Sequence, residues 1–292
     1  MGSVTSVKYA WIREHRNGFE VTVMCRMLGV SKSGFYASLK RAVSARKIRH
    51  DQLRCEIKNA HVASRRTYGS PRVFRELQAK GIKACENTIA KIMRHEQIRS
   101  KTVKRYVPNT TDSKHPFPVA ENVLDRQFKA CAANRKWVTD ITYIETAEGW
   151  LYLAGVLDLY SRKVVGWSMA DHMRTELVED ALKMALARRN PSKGLLHHSD
   201  RGTQYACEDY QQLLKEMGVT CSMSRRGNCY DNAAMESFWG TLKTELVYHE
   251  KYATREQARQ SIFEYIEVFY NRLRRHSSIG YISPESFEAA AN

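Results

Sequence analysis

Apolar residues recur at helical spacing through the first hundred positions and then switch to strand patterning. Over 19–41, Val21, Met24, Cys25 and Leu28 share a helical face, Gly29 permits a tight turn, and Ser31 is placed to cap a second helix. Phe35, Tyr36 and Leu39 give that second helix an apolar face, and Lys32, Lys40 and Arg41 give it positive charge. Helix, glycine turn and basic helix together predict a helix-turn-helix. A long basic helix is expected over 46–62. The stretch 66–101 repeats the layout, with Ser70 as cap, Pro71 at the first helical position, Gly81 as stop and Asn87 as the next cap. Residues 104–131 carry prolines and polar clusters with little periodicity, and read as a linker.

From Trp137 onward the pattern is that of strands. KWVTDITYIE, WLYLAGVLDLYSR and KVVGWSMA are three consecutive strands with turns at Glu148-Gly149 and Ser161-Arg162. Helices over 175–189, 208–218 and 233–248 alternate with short strands at 194–200 and 219–224. A further helix is expected over 261–276, before a short tail. The order predicts an α/β domain, a mixed sheet with helices on both faces, preceded by all-α helix-turn-helix domains. The expected divisions are 1–45, 46–103, the linker 104–131, a core at 132–250 and a helical extension at 251–292.

Charge sharpens this picture. The chain of 292 residues carries a net +16, yet residues 1–136 alone hold +19 and the remainder −3. A strongly basic front half joined to a near-neutral back half implies a nucleic-acid-binding module attached to something else. No apolar run is long enough for a membrane span, and the start lacks a secretory core, so no membrane association is expected. The seven cysteines are scattered without a CxxC pair, which argues against a disulfide framework or zinc knuckle and for a reducing compartment.

Three acids stand out: Asp140 in WVTDITYI, Asp200 in HHSDRGTQY and Glu236 in AAMESFWG. On the predicted elements they fall mid-strand, at a strand end and near a helix start, where they can converge. Converged carboxylates repel unless a divalent cation neutralises them. Three carboxylates can hold two Mg²⁺ ions for phosphoryl chemistry. Lys243 lies two turns after Glu236 on the same helix face and is placed to grip a phosphate. Arg225 and Arg226 with Gly227 form a basic loop suited to DNA contact. Asp158 reads as a core or turn residue, Asp231-Asn232 as a cap for the Glu236 helix, His197 and His198 as packed strand residues, and Tyr230 and Trp239 as core or base-stacking residues. In the tail, Arg272, Arg274 and Arg275 are candidates for contact with DNA backbone or a second subunit.

Across nearly its whole length the chain resembles the OrfB-type transposases of the bacterial "IS three" insertion-sequence family. The resemblance rests on MCRMLGVSKSGFY, YGSPR, KWVTDITYI, GWLYLAGVLDLYSRKVVGWSM, LLHHSDRGTQYA, SMSRRGNCYDNAAMESFWGTLKTEL and YNRLRRHSSIGYISPE. It implies a ribonuclease-H-like core similar to that of retroviral integrases, with Asp140, Asp200 and Glu236 as metal ligands and Lys243 as the basic residue after the glutamate. The spacing of 35 residues between Asp200 and Glu236 is the family's.

It further implies a Mg²⁺-dependent enzyme, with Mn²⁺ able to substitute, that cleaves element ends and transfers strands. Its partners would be the terminal inverted repeats, target DNA, a second copy of the chain and an OrfA protein or fusion segment, all in the bacterial cytoplasm at the nucleoid. The integrases' N-terminal His-His-Cys-Cys zinc pattern is missing here, and no leucine zipper is seen. Two other readings remain at this point: a DNA-binding regulator built on a degenerate transposase, and a metal nuclease that only hydrolyses. The presence of all three acids weighs against the first, and the basic front half with Lys243 against the second.

Overall fold

The computed structural model describes residues 4–102, 117–226 and 228–291. Most of the expected linker and Gly227 therefore lie outside the described residues. The chain divides into two compact units, Met1–Glu56 and Ile57–Asn292, and the boundary falls within one helix, α4 (Ala45–Ala63).

The first unit holds α1 (Val4–His15), α2 (Val21–Met27) and α3 (Lys32–Lys40). Its small core is Ile12, Met24, Cys25 and Phe35. Gly29 turns the chain at φ +64°, and the Ser31 hydroxyl accepts from the Gly34 amide at 3.0 Å, as the helix-turn-helix reading requires. The apolar face of α3 is narrower than expected, because only Phe35 is buried while Tyr36 and Leu39 are exposed. Lys32, Lys40 and Arg41 are all exposed.

The second unit opens on the end of α4, then α5 (Ser70–Ala79) and α6 (Glu86–His95). Here two expected caps are displaced. Gly69, not Ser70, precedes α5, so Pro71 is one place further in, still within the first turn where its missing N–H has no intrahelical partner to lose. Cys85, not Asn87, precedes α6. Within the expected linker, residues 117–131 run along the α/β domain: Leu124 is buried, and the Val123 and Leu124 amides donate to the Ser222 hydroxyl at 3.0 and 3.1 Å.

The sheet contains β1 (Lys136–Thr146), β2 (Gly149–Asp158), β3 (Val164–Ala170), β4 (Leu196–Ser199) and β5 (Thr220–Met223) in the order β3-β2-β1-β4-β5. The first three form an antiparallel meander, and β4 and β5 add in parallel to β1, which gives the expected mixed sheet. The intervening helices are α7 (Thr175–Arg189), α8 (Thr203–Ala206), α9 (Glu208–Glu216) and α10 (Ala233–Glu245). Alternation along the strands sends Trp137, Ala154 and Val156 into one core with Leu177, Val178, Ala181 and Leu182 of α7. Gly166 of β3 permits this contact, because a Cβ there would lie 2.7 Å from the Ala185 methyl.

Beyond α10 the chain forms α11 (Arg255–Phe263), continues as a π-helical stretch over Glu264–Tyr270, and ends in α12 (Pro284–Ala291). The expected helix at 261–276 thus begins earlier, where the Thr254 hydroxyl caps it, and stops at Tyr270. No helix of the described residues is long and apolar enough to cross a membrane.

Candidate active site

The pairing register places the first two acids. β1 and β4 pair in parallel only over Lys136–Val138, with Val138 opposite His198. Asp140 and Asp200 each lie two residues beyond that last pair, so they occupy corresponding places where the two strands part. Such a split in an open α/β sheet is where ligand sites form. Glu236 sits in the first turn of α10. Asp140 and Asp200 are half-buried, and Glu236 is exposed.

The three acids sense one another. Burial first, and then the charges of Asp200 and Glu236, hold the Asp140 carboxyl well above the usual carboxylate range. The Tyr205 hydroxyl, 3.4 Å from Thr139 Oγ1, is pushed up by burial and by the same charges of Asp140 and Asp200. Asp200 also accepts the Gly202 amide at 2.9 Å, which fixes the turn after β4. Among the described residues no three His, Cys, Asp or Glu side chains stand close enough together to form a ready metal-ligand set. The chemistry of the acids nevertheless suits a hard divalent cation, which takes oxygen ligands and keeps much of its own water.

Helix α10 supplies the rest of the site. The Trp239 indole N–H donates to Asp140 Oδ2 at 3.1 Å. Lys243 lies with Nζ 4.7 Å from the Tyr143 ring centre; burial lowers its pKa and the nearby Asp140 charge opposes that. Lys243 therefore lies near Asp140. Trp239 is buried in the packing against β2 and bonded to Asp140, which leaves no face for stacking on a base. Its role was not legible in the sequence; only its spacing of three from Glu236 placed both on one helix face.

The other candidates separate from the acids. Asp158 is buried and accepts from the Asn134 amide at 2.7 Å, the Tyr160 amide at 2.8 Å and the Trp137 indole at 3.2 Å, so it is a core residue. Asp231 does not cap α10. It is fully buried and holds the Arg225 amide and guanidinium at 2.9–3.0 Å, together with Arg126 and Asn122. Those bonds keep its carboxyl far below the usual range. Arg225 also reaches Asp125 at 3.1 Å, so its guanidinium holds the loop in place; Arg226 is exposed.

Asn232 stands at the cap position, but its side chain reaches β1, donating to the Thr139 carbonyl at 2.9 Å. His197 and His198 are packed strand residues, as expected. His198 bonds Ser222 and Ser224 at 2.8 and 3.1 Å, and burial lowers the pKa of His197 to about 3 and of His198 to about 4. Arg274 is buried against Glu245 at 2.6 Å, and Arg275 is bonded to Glu76 at 2.8 Å, which removes both guanidinium groups from the list of surface contacts. Arg272 pairs with Glu285 at 3.5 Å and stays exposed. An open cleft between α7 and α9, lined by Glu179, Lys183, Gln212 and Glu216, contains none of the three acids.

Family models for an integrase core domain match residues 130–229 and 217–284, and one for an HTH-like domain matches residues 49–106. The chain is 43% identical over 284 residues to transposase InsF for insertion sequence IS3A of Escherichia coli (strain K12), covering 97% of this chain and 98% of that one. The chain belongs to the insertion-sequence transposase family. A second relative, an uncharacterized 31 kDa protein of insertion element IS600 from Shigella sonnei, is 47% identical over 264 residues, covering 90% of this chain and 97% of its own. Among solved structures, a simian T-cell lymphotropic virus intasome in complex with a PP2A regulatory subunit is similar at 14% identity and a TM-score of 0.47, covering 80% of this chain and 74% of that one. The mixed five-stranded sheet falls within the integrase core matches, and α5, α6 and most of α4 fall within the HTH-like match.

Proposed function

We propose that the chain is a DNA transposase that cleaves the ends of its insertion sequence and joins them to target DNA, with Asp140, Asp200 and Glu236 as the catalytic acids. The observation that carries this reading is the placement of Asp140 and Asp200 at corresponding positions where β1 and β4 part, with Glu236 in the first turn of α10; the raised Asp140 carboxyl, which feels the charges of Asp200 and Glu236, agrees with it. A cluster of carboxylates held at such a place is costly without a cation, and family membership supplies the class of chemistry. Mg²⁺, or Mn²⁺ in its place, would be held by these three acids as two ions, and when bound supplies Lewis-acid stabilisation of the attacking and leaving oxygens.

The protein's own groups do the remainder. Asp140 on the rigid strand and Asp200 at the strand end fix the position of the phosphodiester. Glu236 closes the third side from α10. Lys243, already beside Asp140, is placed to neutralise a non-bridging phosphate oxygen.

Water attacks phosphorus at the element end; one P–O bond forms as another breaks, and the strand leaves with a 3′-hydroxyl. That hydroxyl then attacks a phosphodiester of a second DNA segment, exchanging one P–O bond for another without a covalent enzyme intermediate. Exposed Lys32, Lys40 and Arg41 on and after α3, with Arg226, are the residues we assign to phosphate contact on the terminal repeats and target, while Arg225, held by Asp231 and Asp125, positions that loop. Joining two ends calls for a second copy of the chain, with an OrfA protein or fused segment as a further partner, at the nucleoid in the bacterial cytoplasm.

The test is a strand-transfer assay on a labelled duplex carrying the element's terminal repeat, with Mg²⁺, beside Glu236→Gln. Metal-dependent joined product from the unaltered chain alone supports the assignment. Equal product from both proteins would overturn the role of Glu236, and cleavage without joining would favour a hydrolytic nuclease. Binding with no chemistry in either protein, even after an OrfA segment is fused, would leave a DNA-binding regulator.

A further inference from the structure

One face of the chain entering and forming α10 meets β1 at three residues, Thr139, Asp140 and Tyr143. Asn232, Glu236, Trp239 and Lys243 follow one another at spacings of four, three and four, which is a single stripe of an α-helix. Two of them are bonded to adjacent residues of the strand. The Asn232 amide donates to the Thr139 carbonyl at 2.9 Å, and the Trp239 indole donates to Asp140 Oδ2 at 3.1 Å. Glu236 lies between these anchors.

The sheet is cut to receive the indole. Gly155 pairs with Asp140 in the β1–β2 register, and a Cβ at Gly155 would fall 2.8 Å from Trp239 Cη2 and 3.0 Å from the Met235 methyl. That is closer than side chains approach, so any larger residue at 155 would displace the ring. Trp239 is 6% exposed. Its N–H is a donor only and is directed at a single oxygen of a carboxylate, which fixes the rotation of that carboxylate.

We propose that Trp239 is a positioning residue for the metal site: it occupies Oδ2 of Asp140, directs Oδ1 toward the cation, and with Asn232 sets the register of α10 that places Glu236 opposite. The inference rests on the reading of the three acids as metal ligands. An outer donor that orients a ligand in this way contributes about 10–100-fold to metal affinity.

The experiment measures Mn²⁺ binding to the full chain without DNA, by the electron paramagnetic resonance signal of the free ion, for the unaltered protein, Asp140→Asn, Trp239→Phe, and a protein carrying 3-benzothienylalanine at 239. The last keeps the shape of the indole and lacks its N–H, so it reports on the hydrogen bond even if Trp239→Phe fails to fold. Loss of about tenfold or more in Mn²⁺ affinity in the benzothienyl protein, with an unchanged melting temperature, is the expected result. In the joining assay its activity should return at high Mn²⁺, a change in the metal dependence rather than in the rate at saturation. Unchanged affinity in that protein overturns the positioning role while leaving the acids' assignment standing. If Asp140→Asn binds Mn²⁺ as the unaltered chain does, or neither binds, the metal reading itself fails and the positioning role falls with it.

Discussion

A carboxyl held above its usual pKa works against folding at neutral pH. Asp140 is such a group: burial and the charges of Asp200 and Glu236 disfavour its ionised form in the folded state, while the unfolded chain ionises it freely. The folded protein therefore binds more protons than the unfolded one across the window above the usual carboxylate range, and stability falls as pH rises through it. Replacing Asp140 with Asn keeps the acceptor for Trp239 and removes the charge. Asp140→Asn is expected to melt a few degrees higher than the unaltered chain in EDTA at pH 8, by a wider margin than at pH 4. Adding Mg²⁺ should raise the unaltered chain's midpoint by mass action and leave the variant's nearly still. Differential scanning fluorimetry with and without metal checks both, and a variant that melts lower in EDTA at pH 8 would refute the strained-site account. Its strand-transfer activity should disappear, since stability and function oppose one another at this residue.

Elements differ in how openly the sequence declares them. The strands β1 to β3 could be read closely because each is an apolar run bounded by turn residues, and helix α7 because its buried positions recur at a single period; β2, buried continuously from Leu153 to Asp158, ends short of the expected Arg162. Helix α1 could not: Val4, Val7 and Trp11 are exposed and only Ile12 is buried, so its pattern is opposite to that of a helix packed by its apolar face. The π-helical turn at 264–270 likewise leaves no local mark, and the stretch around Leu124 hides its anchoring in prolines and polar residues. At the site, each acid was legible from its neighbours in sequence, but Gly155, Asn232 and Trp239 depend on register between elements, which no local pattern encodes.

β4 carries a prediction of its own. His197 and His198 are buried beside one another, with pKa values of about 3 and about 4 against an ordinary 6.5, so they stay neutral when the unfolded chain is protonated. Their contribution is complete above pH 6.5 and is lost as pH falls toward 4, a window above the range where most carboxylates titrate. It is on the order of a few kcal/mol. His197→Leu should flatten the slope of urea-denaturation stability between pH 6.5 and 4.5; at pH 7 it should cost about 1–3 kcal/mol, because Nδ1 has no partner to lose but the buried Tyr210 hydroxyl loses Nε2 at 3.2 Å. An unchanged slope would mean that β4 opens enough to protonate while folded.

On the scale of the whole second unit, the helix that carries Glu236 and Lys243 ends in a buried ionic knot. Glu245, the last residue of α10, receives both Arg274 nitrogens at 2.6 and 2.8 Å and the Tyr265 hydroxyl at 2.8 Å, with Arg72 of α5 at 3.7 Å. Around it, Tyr68 accepts the Arg275 amide at 2.7 Å, and Arg275 reaches Glu76 of α5 at 2.8 Å. The helix that carries Glu236, the C-terminal extension and α5 are thus joined through one carboxylate and a few guanidinium groups. A buried pair of this kind adds little over an apolar replacement, but removing one partner leaves a charge stranded. Arg274→Met is therefore expected to lose about 3–5 kcal/mol in chemical denaturation. The double variant Glu245→Leu, Arg274→Met should recover most of that loss. In the single variant, hydrogen exchange should quicken over 66–100 as well as at the end of α10, because the same carboxylate faces both; quickening at the end of α10 alone would mean that α5 and α6 are held by Tyr68 and Glu76 without it. If the single variant loses less than about 1 kcal/mol, the knot is not what fixes α10, and the register of Glu236 must come from the strand side, through Asn232 and Trp239, alone.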